Sequence, residues 1–515
     1  MSLCKRIQSA LTRFWWDSDP ENRKTSWVAW QTLVKSKKEG GLRFRDIQAF
    51  NDALLAKISW RLISEPDCLL ARVLAGKYFH DQIFLDVTPP ANCSYGWRDI
   101  LIGRDLIKER LEWAIGDGKE VRVWQDAWLS TTECARPMGP ATEESKELKV
   151  SDLLIEHSQE LDTEKINNLF PQLLETILSI RPSKWGGKDK QIWLRQSSGT
   201  YSTKTGYFSA LEANQLEGAN KNQSSDWLKE VWKLPIPPKL NLFLWKIKQR
   251  AIPVGEILEA RHIISGAKCP HCSREESILH IFFNCPHAVE VWKFNVYLGW
   301  KMLLTITSLP RCGLGHTTLE AWVLWSIWSV RNQNIFQNRA FSAQETVLKA
   351  ITDAKEWQQA QPPKEPSQRK IILPPRSPAG GIVCKSDADW KSDRHAAGPA
   401  WSVYRNQNEK FISHSLPSAF VISSLVAEGL AIRSAMEHAI FLEMKNMVFE
   451  SDSLQLVIAI KEGSSFSDLH GIISDIYLLS QFFDSVSFRF CFRERLSFED
   501  NLAKQALNDS VPNSF

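Results

Sequence analysis

Residues 269–285 read CPHCSREESILHIFFNC, and no other stretch constrains the fold of this chain as tightly. Cys269 and Cys272 are separated by two residues, His280 follows after seven more, and Cys285 after a further four. A Cys-x-x-Cys turn can direct two thiolates at one ion. A His and a Cys five positions apart on a helical turn can meet them there, which together makes a tetrahedral Cys3His site for Zn²⁺. Four protein ligands leave no open coordination position, so the zinc is expected to be structural. His271 and His287 are spare ligand candidates. The competing reading is two unrelated cysteine turns, and four ligand-type side chains within 17 residues favour the metal.

The compartment agrees. Ten cysteines are spread over 515 residues. The opening MSLCKRIQSALTRFWWDSDPE lacks the apolar stretch of a secretory signal, and no later run reaches the roughly 18 apolar residues of a membrane span. An intracellular protein of the nucleus or cytoplasm, with reduced thiols free for metal, is expected. Oligomeric state is not legible. Charge is uneven: residues 381–515 carry 12 basic and 17 acidic side chains, net −5, which leaves +9 for residues 1–380. A basic front joined to an acidic rear suits nucleic-acid binding beside metal binding.

Periodicity divides the rest. FNDALLAKISWRLI repeats apolar residues at helical spacing, whereas KEVRVWQDAW, after the turn GDG at 116–118, alternates like a strand. IWLRQSSGTYSTKTGYFSAL reads as strand, turn at Ser198-Gly199, strand and helix. Prolines interrupt two helical pieces in DWLKEVWKLPIPPKLNLFLWKI. Trp322, Trp325 and Trp328 fall at steps of three in LEAWVLWSIWSVRNQNIF, a stripe more consistent with core packing than with base stacking. Six prolines in residues 361–380 mark an extended linker.

In the domain-sized remainder, four acids sit at the ends of apolar elements, where burial without a partner would be costly. Asp387 ends the strand-like GIVCKSD, Glu428 lies in the helical SSLVAEGLAIRSAMEHAI, Asp452 follows MVFES, and Asp500 falls in the first turn of a helix holding DNLAKQAL. Several carboxylates from different elements are what a two-Mg²⁺ phosphodiester hydrolase needs. Singly, each acid reads as a cap or a solvated residue. In CKSDADW, alternation cannot choose between Asp387 and Asp389, since both share a strand face.

The zinc-type spacing, with SWVAWQTL, EGGLRFRDIQAFNDALLAKISWRLI, GWRDILIGRDLIKERLEWAIGDGKEVRVWQDAWL, GTYSTKTGY and LWSIWSVRNQNIF, resembles the region downstream of the polymerase palm in plant LINE-type non-LTR retrotransposon reverse transcriptases. The terminal part is similar to the ribonuclease H domain of the same family, including Gly398 and Trp401 in AAGPAWSVY. The resemblance implies a multidomain α/β protein: largely helical N-terminal and zinc-binding regions, then a ribonuclease H-like domain with a five-stranded mixed sheet flanked by helices.

It further implies a post-polymerase region over 1–130, a variable segment with a strand hairpin over 131–225, and a zinc-binding domain with the Trp-rich helix over 226–340. A helix and linker over 341–380 and the ribonuclease H-like domain over 381–510 complete the expected order. Asp387, Glu428, Asp452 and Asp500 would be the catalytic ligands of two Mg²⁺, with Cys269, Cys272, His280 and Cys285 on structural Zn²⁺. Asp389 would be a bystander. The implied activity is endonucleolytic cleavage of the RNA strand of RNA–DNA hybrids. The alternatives are a nucleic-acid-binding protein without turnover and a decaying retroelement fragment. No Tyr-or-Phe-x-Asp-Asp hairpin occurs, so no polymerase activity is expected. Leu496 stands where the family usually has Asn, and Arg489, Arg493 and Arg495 are candidate phosphate contacts.

Overall fold

The computed structural model describes residues 3–17, 19, 21–80, 82–130, 134–139, 141, 143, 145–216, 226–297, 319–361, 382–405, 409–463 and 467–509. The run read as a linker, 361–380, lies outside the described residues beyond Gln361. Two compact units are present: Met1–Gln48 with Gly218–Arg369, and Ala49–Glu217 with Lys370–Phe515. Among the described residues, no helix is long and apolar enough to cross a membrane.

The first unit is helical, with Leu3–Trp16, Pro238–Lys248, Pro286–Tyr297, Leu319–Gln337 and Ala343–Gln359 as its longer helices. Pro238 occupies a first-turn position where its missing N–H leaves nothing unsatisfied. Trp322 and Trp328 are buried and Trp325 partly so, in a core with Phe243, Phe282 and Val347. The tryptophan stripe is therefore packing. Ser342 begins the last helix with a reciprocal cap: its hydroxyl accepts from Glu345 N while its own N–H donates to Glu345 Oε2.

In the second unit, Leu111–Ala114 pairs antiparallel with Lys190–Trp193, in the register Leu111↔Trp193. Two expectations differ here. The alternating KEVRVWQDAW forms no strand beyond a single bridge, Arg122↔Lys149. Asp189 accepts from the N–H groups of Gly116 (2.7 Å), Gly118 (2.9 Å) and Glu120 (2.9 Å), and Asp126 accepts from Arg122 N, so side chains fold the backbone into turns. Thr200–Ser202 form no strand either. The partner of Lys190–Trp193 is thus distant in sequence, and the residues after Gly199 lead into the helix Thr203–Leu216.

Residues 382–509 build a five-stranded sheet: β1 (Ile382–Lys391), β2 (Ala396–Arg405), β3 (Glu409–Ser415), helix α1 (Ser424–Phe441), β4 (Asn446–Ser451), α2 (Leu454–Glu462), α3 (His470–Ser480), β5 (Ser485–Phe490) and α4 (Ser497–Asp509). The strand order is β3-β2-β1-β4-β5, with β1–β2 and β2–β3 antiparallel and β1–β4 and β4–β5 parallel. The parallel pairs need crossovers, which α1 and the α2–α3 pair supply. Cys384, Trp401, Val403 and Phe449 meet Leu430, Met436 and Ile476 in the core. On α4, the Ala503 carbonyl approaches Gly398 so closely that a Cβ there would lie 2.2 Å from its oxygen. Glycine at 398 lets α4 lie against β2, which carries Asp500 toward the strand ends.

Candidate functional site

The acidic cluster is assembled from three elements. Asp387 sits in β1 opposite Ala400, Glu428 projects from α1, and Asp452 follows the end of β4. One carboxylate oxygen from each lies within 4.8 Å of the other two. Asp387 is 4% exposed and Glu428 8% exposed. Burial, reinforced by Asp452, pushes the Asp387 carboxyl up to about 6. Burial, then the charges of Asp387 and Asp452, hold Glu428 well above the usual carboxylate range. Two buried acids, crowded by the half-buried Asp452, thus resist ionisation unless a cation joins them. The donor set, all hard oxygens, fits a divalent ion of the Mg²⁺ type.

Asp500 stands apart from these three. It accepts from Arg493 Nη2 at 3.0 Å and is also paired with Lys504. Those two cations, Lys504 foremost, hold its carboxyl below the usual range. Its charge is nevertheless felt at Asp387. Arg493, read as a candidate phosphate contact, is thus engaged with an acid, and Arg495 uses its carbonyl to accept from Lys385 Nζ at 3.2 Å. Asp389, opposite Gly398, lies outside the cluster. Two neighbours escaped the sequence reading. Ser451 donates to Glu428 Oε2 at 3.2 Å, and Glu499 is fully buried, accepting from the Tyr404 hydroxyl at 2.8 Å. Ser451 immediately precedes Asp452 and could have been noticed; Glu499 gave no signal beyond its place beside Asp500.

In the first unit, Cys269, Cys272, His280 and Cys285 converge, with their ligand atoms within 4.8 Å of one another. Cys269 and Cys285 sulfurs are 3.7 Å apart, and Cys272 Sγ is 3.1 Å from His280 Nε2. One wide helical turn, closed by Cys285 N donating to His280 O at 2.7 Å, brings the histidine and the last cysteine together. The Cys269–Cys285 hydrogen bond splits the two thiols, one raised to about 12 and the other lowered to about 7. A soft sulfur-rich donor set with one imidazole suits Zn²⁺. His271 and His287 stack on each other beside it, ring centroids 4.4 Å apart.

The sequence reading also missed what supports this loop. Glu276 takes a bidentate ion pair from Arg331 (2.9 and 2.7 Å) and a bond from Gly255 N (2.8 Å), with both charged partners buried. Asn334 of the same helix donates to Pro270 O at 3.3 Å. The Trp-rich helix is thereby fastened to the cysteine turn. Arg331→Ala would strand a buried carboxylate, and a loss of about 3–5 kcal/mol in the stability of this unit is expected, read by denaturant unfolding of the full chain.

The strand order and the acid-bearing elements define a ribonuclease H-like domain. The family model described as zinc-binding in reverse transcriptase matches residues 201–292, and the one described as reverse transcriptase-like matches residues 385–506. A mitochondrial protein of Arabidopsis thaliana, named as uncharacterized, is 48% identical over 128 residues, 25% of this chain and 83% of its own. A second Arabidopsis thaliana protein, named "Putative ribonuclease H protein", is 28% identical over 357 residues, 65% of this chain, which in turn spans 56% of that relative. The chain belongs to the plant retroelement-derived family in which a reverse-transcriptase zinc-binding region precedes a ribonuclease H-like domain.

Among solved structures, RNase H1 of the archaeon Halobacterium salinarum is similar over 25% of this chain and 98% of its own, at 18% identity and a TM-score of 0.24. LC11-RNase H1, solved with an RNA/DNA hybrid, is similar over 25% of this chain and 99% of its own, at 16% identity and a TM-score of 0.24.

Proposed function

We propose that the chain cleaves the RNA strand of RNA–DNA hybrids at the Asp387–Glu428–Asp452 cluster, with Asp500 as the fourth acid. The observation that carries this reading is the convergence of two buried carboxylates and a half-buried third, close enough for their charges to raise Asp387 and Glu428. Bound as a pair, Mg²⁺ ions would supply an activated water and charge stabilisation on the leaving oxygen. The protein's own part is to hold the acids. β1 and β4 fix Asp387 and Asp452, and Ser451 orients Glu428. Arg493 and Lys504 keep Asp500 ionised at neutral pH. Recognition of the hybrid would come through 2′-hydroxyls in its shallow minor groove, which tells RNA from DNA.

The zinc centre in this reading is structural, and the basic front helps to hold nucleic acid. The domain limits set out above, an intracellular site of action and the lack of polymerase activity belong to the same proposal. A second reading, nucleic-acid binding without turnover, is favoured by one feature: Asp500 is already neutralised by two cations. A labelled hybrid incubated with Mg²⁺ separates the two. Wild type should cut the RNA strand and Asp452→Asn should lose activity while keeping its melting profile. Equal cutting by both proteins would remove Asp452 from the site.

A further inference from the structure

Asp475 on α3 is 0% exposed, yet among the described residues no metal-type cluster includes it. Its Oδ1 accepts from the Ser183 hydroxyl (2.5 Å) and Trp185 N (3.0 Å), and its Oδ2 from Lys184 N (3.0 Å) and Arg433 Nη1 (3.1 Å). Three of these four donors come from a segment nearly 300 residues away in sequence. The same segment makes further bonds. Trp185 Nε1 donates to Glu437 Oε1 at 3.1 Å, Arg181 donates to the Ala419 and Phe420 carbonyls, and His470 Nε2 donates to Lys188 O at 2.8 Å. Gly471 opens the space: a Cβ there would meet the Arg181 carbonyl at 2.1 Å.

We propose that the α1–α3 face of the ribonuclease H-like domain is a docking surface for the chain's own residues 181–188, and that this in-chain partner holds α1, and so Glu428, in register with the two aspartates. The surface specifies its occupant. A buried carboxylate with one arginine on it needs donors for its remaining lone pairs, and leaving them empty is costly. A hydroxyl followed by two successive backbone N–H groups supplies them, which is what Ser183–Trp185 presents. Arg433 and Glu437, the α1 residues reached by this arrangement, lie five and nine positions past Glu428. At about 100° per residue they face away from the acidic cluster, so the segment grips the helix from behind. The segment is itself anchored, since Ser183 N donates to Gly116 O at 2.9 Å and Asp189 gathers the 116–120 loop. The positioning half of the proposal rests on Glu428 as a metal ligand; the docking half does not.

The test uses the full chain and the variants Ser183→Ala and Trp185→Ala, which leave every residue of the ribonuclease H-like domain unchanged. Backbone hydrogen exchange reads docking, and calorimetric titration with Mg²⁺ reads positioning. Exchange at the backbone amides of positions 184 and 185 should rise about fivefold or more, the loss of one hydrogen bond or more. The Mg²⁺ midpoint should shift upward in the same variants. Unchanged exchange in both variants overturns the docking. Faster exchange with an unchanged Mg²⁺ midpoint overturns the positioning role alone. A wild type that binds no Mg²⁺ overturns the reading of Glu428, and positioning with it, while exchange still decides the docking.

Discussion

Asp387→Asn should reduce hybrid cleavage by about 100-fold or more, because a metal ligand worth several kcal/mol of transition-state stabilisation is lost at roughly 1.4 kcal/mol per tenfold. The amide keeps the size and shape of the side chain but offers no negative charge. Asp387 is the buried member from β1, with Glu428 and Asp452 within 4.8 Å. Asp389→Asn should cost less than about tenfold, since a neighbouring charge outside the cluster acts only through a screened field. Asp389 shares the strand face but stands two residues further along, opposite Gly398, and does not join the three acids. Rates at saturating Mg²⁺ for both variants check the contrast. Similar losses in the two would mean that the cluster does not distinguish ligand from bystander.

Cys272→Ser should release zinc and unfold the region around residues 269–285. Structural zinc contributes about 10–16 kcal/mol of apparent binding free energy, against the roughly 5–15 kcal/mol by which a whole domain is stable. Serine oxygen is a poor substitute for thiolate on this ion. The ligands also hold a hydrophobic neighbourhood: Cys269 and Cys285 are part of the same core as Phe282, Trp322 and Trp328. Metal analysis together with thermal melting of the full chain reads the outcome, and a chelator should reproduce it in wild type. A variant that keeps its zinc and its native melt would contradict the structural role.

Much of this was legible in the sequence because it is local. The four zinc-type ligands are within 17 residues, so spacing alone brings them near one another. Asp387, Glu428, Asp452 and Asp500 could be singled out because each closes or opens an apolar element, and the order of those elements matches the ribonuclease H-like sheet. What spacing could not show was which acids meet. Asp500 is drawn to Arg493 and Lys504, seven residues before it and four after, a competition that depends on side-chain reach rather than pattern.

The misreadings share a cause. Val121 and Val123 flank the polar Arg122 and are both fully buried, as a strand would require. Asp189 and Asp126 nevertheless fold that backbone into turns, because a carboxylate can satisfy several N–H groups that a neighbouring strand would otherwise take. The acid at 475 gave no signal, since its donors at 183–185 are brought in only by the tertiary fold. Glu276 and Arg331 were likewise invisible as a pair, 55 positions apart.

The central claim is that the acidic cluster is a working, metal-dependent site for RNA–DNA hybrids. The most direct measurement is incubation of the zinc-loaded full chain with a hybrid labelled on both strands, with and without Mg²⁺. Internal cuts in the RNA strand only, an intact DNA strand, and no cutting once Mg²⁺ is withheld are expected. A folded, zinc-loaded protein that leaves both strands whole in Mg²⁺ would contradict that claim.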